Sequence, residues 1–122
     1  MPEELFMYAI VSAEAVKASN GARGKMAAQV GHAFCKALFD AMERFPTRVQ
    51  EYTTEASPKS VLIASEADLF KLYDLYQDQF GIALIKDAAR TVFPEPIITA
   101  LGIGPILKSE REDILKNLKA WQ

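Results

Sequence analysis

The sequence predicts an α/β protein: a three-layer α/β/α sandwich around a four-stranded mixed sheet. Three observations carry that expectation. Short β-branched and aromatic runs alternate with stretches whose apolar residues recur at three- and four-residue spacing, the order of strands joined by helices. Right-handed crossovers place such helices on both faces of a sheet. The last two strand-like runs have no helical stretch between them, which makes the sheet mixed. With 122 residues, the chain suits one domain, residues 1–122, burying roughly two thirds of the surface exposed when unfolded.

Each element has a local reason. Residues 5–12 (LFMYAIVS) read as a buried strand, followed by a loop closing on Gly21 and Gly24. From Lys25 a long amphipathic helix places Met26, Val30, Phe34, Leu38 and Met42 four residues apart, with Ala33, Ala37 and Ala41 widening the stripe. Pro46 ends it, and residues 47–56 are weakly helical before the turn at Ser57-Pro58. SVLIAS (60–65) is the second strand. Ser65 and Asp68 resemble a capping box for a helix that buries Leu69, Leu72, Tyr73, Tyr76 and Phe80, with Gly81 as its stop. IALIK (82–86) is the third strand and runs into Asp87. Residues 97–103 form the fourth, broken by Gly102, Gly104 and Pro105, and Ser109 with Glu112 caps a last helix burying Ile114, Leu115, Leu118 and Trp121.

Charge and composition narrow the function. The formal charge is −2, against a surface basic all over. Yet Lys17, Arg23, Lys25 and Lys36 face only Glu14 within residues 14–36, so a polyanion has one face on which to dock. A single cysteine, Cys35, and a single histidine, His32, leave no internal disulfide and no basis for a Cys- or His-built metal centre; neither metal nor cofactor is expected. The first four residues lack a basic stretch, and the apolar run from Leu5 to Val11 is too short to span a bilayer. The expectation is a cytoplasmic protein without a membrane partner.

Two motifs carry chemistry. In NGARGKMAAQVGHAF (20–34), Arg23 and Lys25 sit at a helix start, where the helix dipole disfavours cations unless an anion shares the site. The segment is not a nucleotide-binding P-loop: two residues separate Gly21 from Gly24 where four are needed, and Met26 follows the lysine where a hydroxyl is required. Lys25, Gln29, His32 and Lys36, at i, i+4, i+7 and i+11, project from one side of the helix. The second motif is Asp87-Ala-Ala-Arg90-Thr91, at a strand end where ligands gather in open α/β sheets. Its spacing fits an aspartate that caps a turn and pairs with Arg90. It equally fits a carboxylate that, with a lysine and a threonine hydroxyl, orients a water and stabilises an oxyanion. Taken alone, His32 reads as a packed or hydrogen-bonded helix residue and Cys35 as a small core residue.

GKMAAQVGHAF, DAART and TALGIGP, in that order and spanning essentially the whole domain, resemble the linked motifs G-K-x-A-A-Q-[CS]-x-H-A, D-A-G-R-T and T-V-L-G-I-G-P of the archaeal and eukaryotic, or type 2, peptidyl-tRNA hydrolases. The resemblance implies a four-stranded mixed sheet flanked by helices and a homodimer. It also implies metal-free hydrolysis of the ester between a peptide and the 3′ end of tRNA. By position it implies catalytic roles for Lys25, Asp87, Thr91 and Thr99, and substrate binding by Arg23, Gln29, His32 and Arg90. Asp87 would position or deprotonate a water, Lys25 would bind the terminal phosphate or the developing oxyanion, and Thr91 and Thr99 would hold water and substrate. Arg23 stands where the family usually has lysine, which keeps the charge and changes its shape.

Val30, Ala89 and Pro94-Glu95-Pro96 depart from the family pattern. A proline fixed at φ about −65° replaces a glycine free to take φ > 0, and Glu95 brings negative charge towards a phosphate site. These departures motivate a second reading, a paralogue retained as a non-catalytic RNA- or anion-binding or regulatory module. A third is a hydrolase of another ester or small anionic substrate.

Overall fold

The chain forms β1 (Leu5–Ser12), α1 (Ala13–Ala18), α2 (Arg23–Arg44), α3 (Pro46–Thr54), β2 (Lys59–Ala64), α4 (Glu66–Tyr76), β3 (Ile82–Asp87) and β4 (Ile97–Leu107). A 3-10 turn (Lys108–Glu110), a short α5 (Asp113–Lys116) and β5 (Lys119–Ala120) complete it. The computed structural model describes residues 3–89 and 92–122; among these, the strands make one open mixed sheet in the order β3-β4-β1-β2-β5. β1 and β2 are parallel and the other neighbours antiparallel. No helix among the described residues is long and apolar enough to cross a membrane.

β1 is the central strand, and its side chains alternate between two cores. Tyr8 and Ile10 pack with Leu69, Leu72 and Tyr76 of α4 and Leu115 of α5. Met7, Ala9 and Val11 join clusters containing Ala33, Ala37 and Met26 of α2, Ala15 of α1 and Tyr52 of α3. A strand covered on both faces reads as a near-continuous apolar run, which is what LFMYAIV is.

The sheet has five strands, not the expected four, and the difference lies at the C-terminus. The expected helix from Ser109 does not form as such. Ser109 donates its amide and its hydroxyl to Glu3, and the carboxylate that reaches back to the Leu107 N–H at 2.8 Å belongs to Glu110, not Glu112. Glu110 also pairs with Arg48 at 2.6 Å. Helix is left only at Asp113–Lys116, and the Trp121 N–H donates to the Val61 carbonyl at 3.0 Å, laying Lys119–Ala120 antiparallel beside β2. β4 likewise runs past the residues expected to break it. Tyr8 pairs with Ile103 but Phe6 with Ile106, so Gly104 and Pro105 are taken up in a bulge opposite Met7, where a missing proline N–H costs no ladder bond. Gly104 has φ 130°, a conformation open to glycine.

Two further expectations change at the first helices. The stretch after Ser12 is helical, not a loop, because the Ser12 Oγ accepts from the Ala15 N–H at 3.1 Å as an N-cap. α2 lies on the sheet through its alanines: Ala33, Ala37 and Ala41 are fully buried, Val30, Phe34 and Leu38 only partly, and Met42 is 51% exposed. Beyond Met26, which is buried, the large residues form the flank because the helix is pressed close to the sheet. A Cβ added to Gly102 would overlap the Ala33 carbonyl, and one added to Gly81 would meet Ala41 and Ala37. Cys35, on the far side of α2, is exposed and is not a core residue.

The end of α2 is fastened to the start of β3, the strand that carries Asp87. Asp40 accepts from the Ile82 N–H at 3.0 Å and from Arg44 at 2.7 Å, while Arg44 Nη2 also donates to the Phe80 carbonyl at 2.6 Å. Burial works to raise the Asp40 pKa, but the Arg44 hydrogen bond, the Ile82 amide and the Arg44 charge outweigh it and hold the carboxyl below its usual value. A carboxylate depressed in the folded state stabilises the fold above its unfolded pKa and loses that contribution as pH falls through the folded one. Asp40→Asn is therefore expected to cost about 1 kcal/mol at neutral pH. It should also flatten the decline of Tm below about pH 5. Thermal unfolding of both proteins from neutral to acid pH checks this; parallel curves would contradict the clamp.

Candidate active site

Two elements far apart in sequence bring one cation and one carboxylate together. Lys25, in the first turn of α2, places its Nζ 2.6 Å from Oδ2 of Asp87, the last residue of β3. The pair is partly sheltered, with side chains 20% and 9% exposed. α2 itself begins without help: Ala22 offers no side-chain cap, and the first turn holds no acidic residue. Its free N–H groups and dipole therefore add positive potential beside Lys25.

Behind this pair runs a directed chain of hydrogen bonds. Thr99 Oγ1 donates to Gln29 Oε1 at 2.7 Å, and Gln29 Nε2 donates to Asp87 Oδ2 at 3.4 Å. A carboxylate accepts only, so the amide must turn its NH₂ to Asp87 and its oxygen to the threonine. Thr99 and Gln29 are buried, with 0% and 3% exposure. The other carboxylate oxygen, Oδ1, accepts the Ala89 N–H at 2.8 Å. Asp87 is thus held from the side of α2 and from the backbone after β3. Phe93, which no local signal in the sequence marks, is buried nearby, its ring centroid 6.0 Å from Lys25 Nζ, at the limit of a cation–π contact.

The four residues expected along one side of α2 divide. Lys25 and Gln29 turn to Asp87, whereas His32 and Lys36 are exposed further along the helix, as is Arg23 at its start. Arg90 and Thr91 lie outside the described residues. Glu95 lines a cleft with Glu66, Phe70 and Lys86 on the α4 side. In the sequence Lys25 and Asp87 stand out separately, one at a helix start and the other at a strand end. Gln29 and Thr99 stand 70 residues apart, and nothing local links them.

Ala89 has φ 65°, the left-handed conformation that a Cβ disfavours. Its N–H is the donor to Asp87 Oδ1, so the strain sits in the turn that orients the carboxylate. Ala89→Gly is expected to stabilise the protein by about 0.5–1 kcal/mol, or roughly 2–4 °C in Tm, because glycine takes this conformation without a Cβ clash. Calorimetry reads the shift directly, and a lower Tm would contradict the strain.

The chain matches the family model described as "Peptidyl-tRNA hydrolase PTH2" over residues 6–121. It is 36% identical over 99 residues to the peptidyl-tRNA hydrolase of Methanococcus vannielii, covering 80% of this chain and 85% of that protein. It is 33% identical to that of Methanocaldococcus jannaschii over 80% and 86% of the two chains, and 37% identical to that of Thermococcus sibiricus over 80% and 84%.

Proposed function

Because this chain belongs to the PTH2 family of peptidyl-tRNA hydrolases, we propose that it hydrolyses the ester between a peptide and the 3′ end of tRNA at the Lys25–Asp87 pair. The observation that carries this reading is the 2.6 Å contact of an ammonium and a carboxylate at the uncapped start of α2. Asp87 takes a proton from a water whose oxygen attacks the ester carbonyl carbon. The oxyanion that develops is stabilised by the Lys25 ammonium and the helix N-terminus. The ester C–O bond then breaks, and the proton held by Asp87 passes to the departing ribose oxygen, leaving a peptide acid and tRNA with a free hydroxyl.

Gln29 and Thr99 are positioning residues in this scheme. Both are buried: Gln29 donates to Asp87, and Thr99 donates to Gln29 and lies within reach of the Ile85 carbonyl, so they act through the carboxylate and not on a substrate. Arg23 and Lys36, exposed on α2, supply cations for the tRNA backbone, and the exposed His32 between them offers a hydrogen bond. Arg90 and Thr91 keep the substrate-binding and catalytic roles that the family pattern gives those positions. The same reading makes the chain a single domain of three layers, working as a homodimer in the cytoplasm, where peptidyl-tRNA arises. The division of β1 between two cores supports the layering, and Phe39 and Met42, 61% and 51% exposed on α2, support a dimer face.

The test is release of free tRNA from purified peptidyl-tRNA by catalytic amounts of the protein at low salt, where phosphate contacts are strongest. An intact substrate would overturn the proposal. No observation favours the non-catalytic alternative: Ala89 keeps a left-handed backbone despite the loss of glycine, and its amide still holds Asp87.

A further inference from the structure

The ester joins two chemically different arms, and the structure offers two different surfaces to receive them. On the α2 side, where Asp87 meets Lys25, the exposed side chains Arg23, His32 and Lys36 suit a polyanion. Lys86, next to Asp87 on β3, points to the opposite face, because neighbouring residues of a strand alternate. There it lines a cleft of about 490 Å³ with Phe70 and Glu66 of α4 and with Glu95, Pro96, Ile97 and Ile98. The cleft is continuous with the site along the sheet: Ile97 is the register partner of Asp87, and Ile98 that of Lys86. β3 is the edge strand of the sheet, so among the described residues no further strand separates the two faces on that side.

We infer that this cleft receives the peptide arm of peptidyl-tRNA, its first residues passing round the free edge of β3 from the ester at Asp87. The inference rests on the hydrolase reading above and adds where the acyl part goes. Charge distinguishes the two arms. Glu66 and Glu95 outnumber Lys86, and the Glu14 carboxylate sits on the Glu66 N–H at 2.9 Å, so this surface repels phosphates and tolerates a neutral or cationic peptide. Apolar area supplies the attraction: Phe70 is 45% exposed over the cleft, and Ile98, packed against the α4-side core, is partly open beside it, whereas the Ile97 side chain turns to the α2 side. Among the described residues no strand pairs with the outer edge of β3, so that edge can add main-chain hydrogen bonding, a mode that does not depend on peptide sequence and suits an enzyme presented with many different peptides.

The experiment compares kcat/KM for an N-acetyl-aminoacyl-tRNA, whose acyl part is too short to reach the cleft, with that for a hexapeptidyl-tRNA of apolar residues on the same tRNA. The wild-type protein is expected to prefer the hexapeptide, and Phe70→Ala to reduce that preference about tenfold, the equivalent of part of a buried aromatic side chain. Glu95→Lys, a change on the surface, is expected to shift the preference between lysine- and aspartate-bearing hexapeptides towards the acidic one. The inference holds if the wild-type preference is present and either variant moves its ratio as stated, and falls otherwise, including the case in which a variant slows all substrates equally. A wild-type protein that cleaves both substrates without preference overturns the inference alone. One that cleaves neither overturns the hydrolase reading and this inference with it.

Discussion

Asp87→Asn is expected to lower kcat by about 10²–10⁴, the range associated with loss of a general base. Asparagine keeps the size of the side chain and can still accept the Ala89 N–H, so the fold and the turn after β3 should survive. What disappears is the capacity to take a proton from water. KM should not rise. Lys25 now stands 2.6 Å from Asp87 Oδ2, and without that negative charge the ammonium is released to an anionic substrate. The signature is a large loss in kcat with an unchanged or lower KM for peptidyl-tRNA. Steady-state kinetics on a variant of wild-type Tm reads it, and an unchanged kcat would remove Asp87 from the chemistry.

Lys25→Ala has the second large effect and a different profile. Loss of one oxyanion-stabilising group typically costs about 10²–10³ in rate, and here the same ammonium adds to the potential that receives tRNA. Both kcat and KM are therefore expected to worsen. The slope of log(kcat/KM) against log[salt] should fall by about 0.7–0.9 if Lys25 contacts a phosphate, and stay constant if it serves only the oxyanion. That single titration separates its two candidate roles. Unlike Asp87→Asn, this change also leaves a carboxylate of 9% exposure without its ammonium, so Tm should be measured alongside.

Much of this arrangement was legible in the sequence because it is locally encoded. LFMYAIV and IALIK are strands of a covered sheet, Ser65 caps α4 through the Asp68 N–H as its spacing indicates, and the strand ending at Asp87 is bounded by its own apolar pattern. The Ser12 cap is equally local, but the helix it starts has only six residues, too few to show an apolar period.

What was not legible depends on long-range contacts. Ser109 and Glu112 have the spacing of a capping box, yet Ser109 bonds to Glu3, 106 residues away, and that contact redirects the C-terminus into a strand. The alanine seam of α2 looks secondary to Met26, Phe34 and Leu38 until Gly102 is placed beneath it. Within the site, Lys25 and Asp87 stood out as a cation at a helix start and a carboxylate at a strand end. Their meeting, and the Thr99–Gln29 chain behind them, arise only when α2 packs across β3 and β4.

The central claim is that Lys25 and Asp87 work as one unit on one ester, and a double-mutant cycle of Lys25→Ala and Asp87→Asn on peptidyl-tRNA tests it most directly. Groups that act together lose little more when both are removed than when the more damaging one is removed. The double variant is therefore expected to be as slow as the slower single variant, within a few fold. Losses that multiply across the two positions would show that they act independently and would contradict the account.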